Sequence, residues 1–326
     1  MNILFWQEVH PTVTGGADSW VRDTGRALSM RGHAVSWLQD ERIEQACFQF
    51  KPDAVVLGTI HNFIGLHHAE RLLGLGIPAV WMLHDYWPFC GPRMLMRDWN
   101  ASDRGCPAVE GVCDNSCSGK ASGRLALVNQ FYVVVECEGT ADIMRRNGVN
   151  VRAVIETGVD TDLWRPSEKR IERVVYCHAA GPEVWKGVHV LRAALDGTGI
   201  DVRFLTGMAR EDVARELAGA AVYVFPSVYQ ETWGLALTEA MACGCACVAS
   251  DVAGARAQIH PSSGIVVQPN EPGAILCAVE TLLEDAKLSA EIGAIARAHV
   301  EAEHSLAAIG QRWERLLTQL APGGGK

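Results

Sequence analysis

Short apolar runs alternate with amphipathic stretches through the first half of the chain. Ile3–Trp6 reads as a buried strand, and Ala17, Trp20, Val21, Thr24, Ala27 and Leu28 then recur at the spacing of one helix face that stops at Gly32. Ala34–Leu38, Ala54–Gly58, Ala79–Leu83, Phe131–Val135 and Ala153–Glu156 repeat the strand signal. The pattern restarts beyond a polar stretch from Asp160 to Arg170 that carries Pro166. There, Val174–His178, Val202–Leu205, Ala221–Phe225 and Cys245–Ala249 read as strands separated by helical runs, and three helices are predicted from Pro272 to Leu320. Strands that are apolar on both faces and alternate with helices imply parallel sheets covered on both sides. The predicted class is α/β, with two doubly wound Rossmann-like parallel-sheet domains over 1–160 and 161–304. A C-terminal helix and flexible tail follow over 305–326, with the helix a candidate to pack back on the first domain. Ligands of such sheets bind beyond the carboxyl ends of the strands, which directs attention to those loops.

A length of 326 residues agrees with two cores, and 48% hydrophobic content excludes a disordered chain. The net charge of −9, with no basic face, argues against a nucleic-acid partner. The opening MNILFWQEVH lacks the sections of a signal peptide, and every apolar run falls short of the ~18 residues a membrane helix needs. The expectation is a cytoplasmic protein without a transmembrane segment, with peripheral membrane contact left open. Its eleven cysteines then stay reduced and read as core residues or metal ligands rather than a disulfide framework.

The most informative stretch runs from Phe225 to Gly244, a strand, a loop and a helix. Glu231 lies in the loop and Glu239 eight residues later on the helix, so at ~1.5 Å rise per residue the carboxylates can stand on the order of 10 Å apart. Between them Thr232 is placed to cap the helix, next to Trp233, and the amides of Gly234 and Leu235 face whatever sits at its positive end. A diphosphate flanked by two sugars satisfies every group, whereas two ordinary surface glutamates would not need this Gly-rich apolar frame. Gly15 and Gly16, just before a helix, let backbone approach a phosphate or sugar closely. They do not form the GxGxxG of a dinucleotide site, which lowers an oxidoreductase reading.

The two-glutamate pattern followed by Ala240-Met241-Ala242-Cys243-Gly244 resembles the retaining glycosyltransferases of family four, whose GT-B fold has two such domains facing across a cleft. Gly15-Gly16-Ala-x-x-Trp-Val ending in Arg31-Gly32-His33, and Ile155-Glu-Thr-Gly158-Val-Asp160 through Pro166, are similar to its first loop and to the segment closing its first domain. The resemblance runs along nearly the whole chain. It implies that Glu231 contacts donor-sugar hydroxyls, that Glu239 holds the nucleotide ribose, and that His84, in Trp81-Met-Leu-His84-Asp85-Tyr86-Trp87, is the histidine touching the donor sugar near the reaction centre. Asp85 is placed to orient that imidazole or to cap the turn, and His61 is a weaker candidate facing the acceptor. Lys186, in Trp185-Lys186-Gly187, is positioned to neutralise the diphosphate as it leaves. Family members carry an arginine five residues earlier, where this chain has Gly181, so Arg256 and Arg210 become candidates for the missing cation.

Cys90, Cys106, Cys113 and Cys117 crowd one long polar loop, and four thiolates fit a structural zinc or iron–sulfur centre. Their spacings lack the C-x₂-C pairs of a strong zinc signature, so reduced thiols and disulfides stay open. Cys243, Cys245 and Cys247 read as core. The expected activity is retaining, metal-independent transfer of a hexose from a nucleotide diphosphate sugar to a hydroxyl acceptor, with catalytic roles for Glu231, His84 and Lys186. The donor-binding set adds Gly15, Gly16, Thr232, Trp233, Gly234, Leu235 and Glu239. A nucleotide-sugar 2-epimerase on a similar fold and a non-catalytic nucleotide-sugar binding subunit are the alternatives.

Overall fold

The computed structural model describes residues 1–8, 15–60, 65–90, 95, 106, 108, 123–168, 171–178 and 184–321. The chain divides into two compact units, one of Met1–Arg93, Pro107–Thr157 and Leu306–Lys326, the other of Met94–Cys106 and Gly158–Ser305.

The first unit holds a six-stranded parallel sheet in the order β2-β1-β3-β4-β5-β6. Its strands are β1 (Asn2–Trp6), β2 (Ala34–Leu38), β3 (Ala54–Leu57), β4 (Ala79–Met82), β5 (Tyr132–Val135) and β6 (Val151–Val154). Ile3 to Trp6 and Ala54 to Leu57 are buried throughout, as strands covered on both faces must be. Helix α1 (Gly16–Met30) starts where predicted: Gly15 is its N-cap, and the Gly15 N–H donates to Asp18 Oδ2 at 2.9 Å. Strand β6 begins two residues earlier than the apolar pattern suggests. The turn through Gly148 (φ +85°) ends α5 (Glu138–Arg146), and the register against β5 shifts at Val133/Val134. The C-terminal helix α12 (Leu306–Leu320) belongs to this unit, where Trp313, Ile309 and Leu317 pack with Trp20, Val21 and Leu28 of α1 in one core.

The second unit holds a five-stranded parallel sheet in the order β11-β10-β9-β7-β8. The strands are β7 (Ile171–His178), β8 (Val202–Thr206), β9 (Ala220–Phe225), β10 (Ala246–Ser250) and β11 (Ile265–Val267). Alternate residues of β9 enter different cores, Tyr223 and Phe225 on one face and Val222 and Val224 on the other, so this sheet too is covered on both sides. Cys243, Cys245 and Cys247 are fully buried in the first of these cores, as expected. Strand β11, three residues at the sheet edge with Val266 exposed, is not announced by the sequence pattern. The two parallel-sheet α/β units match the predicted class. No helix among the described residues is long and apolar enough to cross a membrane.

Candidate functional site

The strand order of the second unit reverses between β7 and β9, which pair with each other while their successors lie on opposite sides. In doubly wound sheets that reversal opens a crevice beyond the carboxyl ends of the two strands. The segments that follow β7 and β9 carry Lys186 and Glu231. They are laced together: the Val228 N–H donates to the Trp185 carbonyl at 3.0 Å. Gly187 has φ +73°, and a Cβ there would lie 1.8 Å from the Pro226 carbonyl oxygen, so only glycine lets the two segments approach this closely.

The lacing brings together groups 45 residues apart. Lys186 Nζ donates to Glu231 Oε1 at 2.6 Å. The Tyr229 hydroxyl donates to Glu231 Oε2 at 2.5 Å, and Ser227 Oγ lies 3.2 Å from Oε1. Lys186 also stands 3.4 Å from the Tyr229 hydroxyl and 5.2 Å from the centre of its ring. The Glu231 side chain is 6% exposed and that of Lys186 29%, so the carboxylate is held from three sides while the ammonium keeps an open flank.

Past Glu231 the loop is clamped from beneath. Gln230 Oε1 accepts the Ala253 N–H of α9 (Ala253–Gln258), and the Gly254 N–H donates to the Glu231 carbonyl, each at 2.9 Å. Trp233 Nε1 donates to Thr238 Oγ1 (2.9 Å), Thr238 donates to Gln258 Oε1 (2.7 Å), and Gln258 Nε2 donates back to the Trp233 carbonyl (2.6 Å). This closed ring of bonds is buried, with Trp233 pointing into the core. Helix α8 (Leu235–Ala242) begins at Gly234, its N-cap at φ +94° with no side-chain hydrogen bond. This corrects the expectation that Thr232 caps α8: Thr232 precedes the first helical residue by three positions and is itself buried. The helix still presents its positive end, with the first amides lacking partners inside the helix, next to Glu231.

Glu239 sits in the middle of α8, and Arg210, the first residue of α7 (Arg210–Gly219), reaches toward it with Nε 4.0 Å from Oε1. The Arg210 guanidinium covers the Trp164 ring at 5.4 Å. Arg256, the other candidate cation, is 69% exposed and paired with Asp251 (Nη2–Oδ1 2.6 Å), a partnership that holds the Asp251 carboxyl below its ordinary range. Gly181 lies outside the described residues.

In the first unit His84 follows β4. Its Nδ1 is 2.9 Å from Glu136 Oε1, and the Trp20 ring meets it edge-on at 4.5 Å. Asp85 accepts the Trp87 N–H at 2.9 Å, which caps the turn. Glu136 was not legible as a site residue, because its partner lies 52 positions away and meets it only through strand pairing. Cys90 and Cys106 are buried, while Cys113, Cys117 and His61 lie outside the described residues. Among the described residues no three His, Cys, Asp or Glu side chains form a metal-binding group.

A family model described as glycosyl transferases group 1 matches residues 167–299, the span that contains Lys186, Glu231 and Glu239. Among curated relatives, the chain is 32% identical over 123 residues to a GDP-mannose-dependent monoacylated alpha-(1-6)-phosphatidylinositol monomannoside mannosyltransferase of Corynebacterium glutamicum. That match covers 36% of this chain and 32% of the relative. It is 31% identical over 194 residues to a D-inositol 3-phosphate glycosyltransferase of Streptomyces griseus, covering 57% and 39% of the two chains. The matches thus span between about a quarter and a half of the length of the curated relatives. In fold it is similar to sucrose-phosphate synthase from Thermosynechococcus elongatus (TM-score 0.74, 18% identity, 98% and 99% of the chains covered). It is also similar to HepE of Anabaena in complex with UDP and glucose (TM-score 0.69, 17% identity, 97% and 99% covered).

Proposed function

We propose that the protein is a retaining hexosyltransferase that moves a hexose from a nucleoside diphosphate sugar to a hydroxyl acceptor. The observation that carries this reading is the grouping of Lys186, Glu231 and the start of α8 at the strand-order reversal, with Glu239 farther along α8 and Arg210 of α7 reaching toward it. In this reading Glu231 accepts hydrogen bonds from the hexose hydroxyls. Lys186, already oriented by Glu231, turns its open flank to the diphosphate, and the α8 amides share the charge that grows on the leaving phosphate oxygens. Glu239 accepts from the ribose hydroxyls, with Arg210 holding that carboxylate. The anomeric carbon–oxygen bond to the diphosphate breaks, a bond to the acceptor oxygen forms on the same face, and the acceptor proton passes to the departing phosphate. The donor class is supported by the GDP-mannose dependence in the name of the Corynebacterium relative and by the UDP and glucose bound to HepE. Eleven cysteines fit a compartment where thiols stay reduced, which makes the cytoplasm the proposed setting.

Release of UDP or GDP from a panel of nucleotide sugars, with and without polyol acceptors, tests the reading. Acceptor-dependent release with the anomeric configuration kept supports it. A changed hexose without acceptor would indicate an epimerase, and tight binding without turnover a binding subunit. Glu231→Ala is expected to abolish transfer while nucleoside diphosphate binding persists, and Glu239→Ala to weaken that binding. Wild-type turnover and affinity in both variants would overturn the assignment.

A further inference from the structure

The geometry points to Glu136 as the positioning residue of His84: it fixes which ring nitrogen carries the proton, and so makes His84 an acceptor of a sugar or acceptor hydroxyl rather than a donor to it. The inference rests on the proposed transfer reaction and on the role that the family resemblance gives His84, as the histidine touching the donor sugar. Strands β4 and β5 are parallel neighbours with Met82 opposite Val134, and the Leu83 N–H donates to the Val134 carbonyl at 3.0 Å. His84 and Glu136 each lie two residues beyond that pair, so strand alternation turns both side chains the same way at the carboxyl edge of the sheet. The result is the 2.9 Å contact between His84 Nδ1 and Glu136 Oε1, with side-chain exposures of 10% and 6%.

A buried carboxylate at the end of an otherwise apolar strand is costly to keep unless its partners repay the lost hydration. Glu136 Oε2 is buried without a hydrogen-bond partner among the described residues, so the contact with His84 compensates the buried group through its other oxygen. Asp85 accepts the Trp87 amide, and the Trp20 ring packs edge-on against the imidazole. A carboxylate only accepts, so the hydrogen of this contact sits on Nδ1. Neutral His84 then carries its lone pair on Nε2, and which nitrogen is protonated is set by the bond the other one makes. An imidazole in this state accepts a hydroxyl hydrogen. In the opposite tautomer it would offer an N–H to the same hydroxyl and favour a different substrate oxygen.

The test uses the full-length protein labelled with ¹⁵N-histidine. Two-bond proton–nitrogen correlations read the His84 tautomer, assigned by loss of its signals in His84→Asn. Wild type is expected in the Nδ1–H form. Glu136→Ala is expected to move His84 toward Nε2–H and to lower transfer turnover by about tenfold to a hundredfold, with binding of UDP or GDP unchanged. Glu136→Gln keeps the volume and guards against a folding defect in the alanine variant; its activity must follow its tautomer, retained with Nδ1–H and lost with Nε2–H. Turnover that falls with the tautomer unchanged, or a tautomer that inverts without loss of turnover, overturns the proposal. Full transfer by His84→Asn would instead remove the proposed role of His84, while the spectrum still reads its pairing with Glu136 independently.

Discussion

Much of the acceptor capacity of Glu231 is already engaged: Lys186 and Ser227 reach one oxygen and Tyr229 the other. An ionised carboxylate has about four lone-pair sites, so in the proposed reaction a hexose hydroxyl would find one open direction rather than a freely rotating group. Tyr229→Phe deletes the only O–H directed at Oε2 among these three and leaves the ring in place. Turnover should fall about tenfold, with the nucleoside diphosphate affinity little changed, in steady-state kinetics paired with calorimetry. Lys186→Ala should lower turnover about a hundredfold or more and also lower the melting temperature, since Glu231 would stay buried without its countercharge. A wild-type melting temperature for this variant would show that the ion pair carries no net stability. Cys47 gives a separate pH signature, because burial pushes its thiol up to about 11 from the ordinary 9. The folded state keeps a proton that the unfolded state releases in that range. Stability from this group is therefore full below pH 9 and falls by about 1 kcal/mol per pH unit from 9 toward 11. Urea titrations of wild type and Cys47→Ala, compared between pH 8 and 10.5, should show the steeper decline in wild type. Lys186, Glu231 and Glu239 were legible in the sequence because each sits beside a loop glycine or in a compact motif. Tyr229 and Glu136 were not, since their significance lies in where a hydroxyl and a carboxylate point after folding.

The site loop keeps its shape through glycines and one glutamine on neighbouring elements. A Cβ at Gly254 would lie 2.2 Å from the Trp233 carbonyl oxygen, the atom that Gln258 binds. Gly254→Ala must therefore push α9 away from the loop and disturb the ring of bonds among Trp233, Thr238 and Gln258. The expected outcome is a destabilisation of about 1–3 kcal/mol in urea unfolding, with a raised KM for the donor sugar. At the other end of α8, Arg297 of α11 (Ala286–Glu303) donates to the carbonyls of Ala242, Trp164 and Thr161, fixing the helix against the Asp160–Pro166 stretch. The alternation of elements was readable throughout, because a strand buried on both faces is a continuous apolar run and an amphipathic helix repeats at 3.6 residues. Strand β11 was not, being an edge strand of three residues with its middle side chain in solvent. Nor was the clamp under the loop: Gln258 stands alone as a polar residue in sequence, and its partners lie 20 and 25 positions away.

At the scale of the whole molecule, the chain leaves the first unit after Thr157 and returns to it at Leu306. Trp313 of α12 is fully buried, with its ring centre 5.9 Å from that of Trp20, so the core of the first unit is completed by the last element of the sequence. Trp313→Ala should cost about 3–5 kcal/mol, read as a lower urea midpoint for the first unit. The two crossings also meet each other: the Val159 N–H donates to the His304 carbonyl at 2.8 Å, and Val159 and Ser305 form a parallel bridge. The stretch Gly158–Ser305 therefore begins and ends at one place, the geometry of a cassette spliced into a host. Recombination that exchanges this stretch between relatives would join ends already side by side, asking no new loop of either partner. Under the proposed function, chimeras cut at these two junctions should take their nucleotide-sugar preference from the inserted piece, which carries Lys186, Glu231 and Glu239.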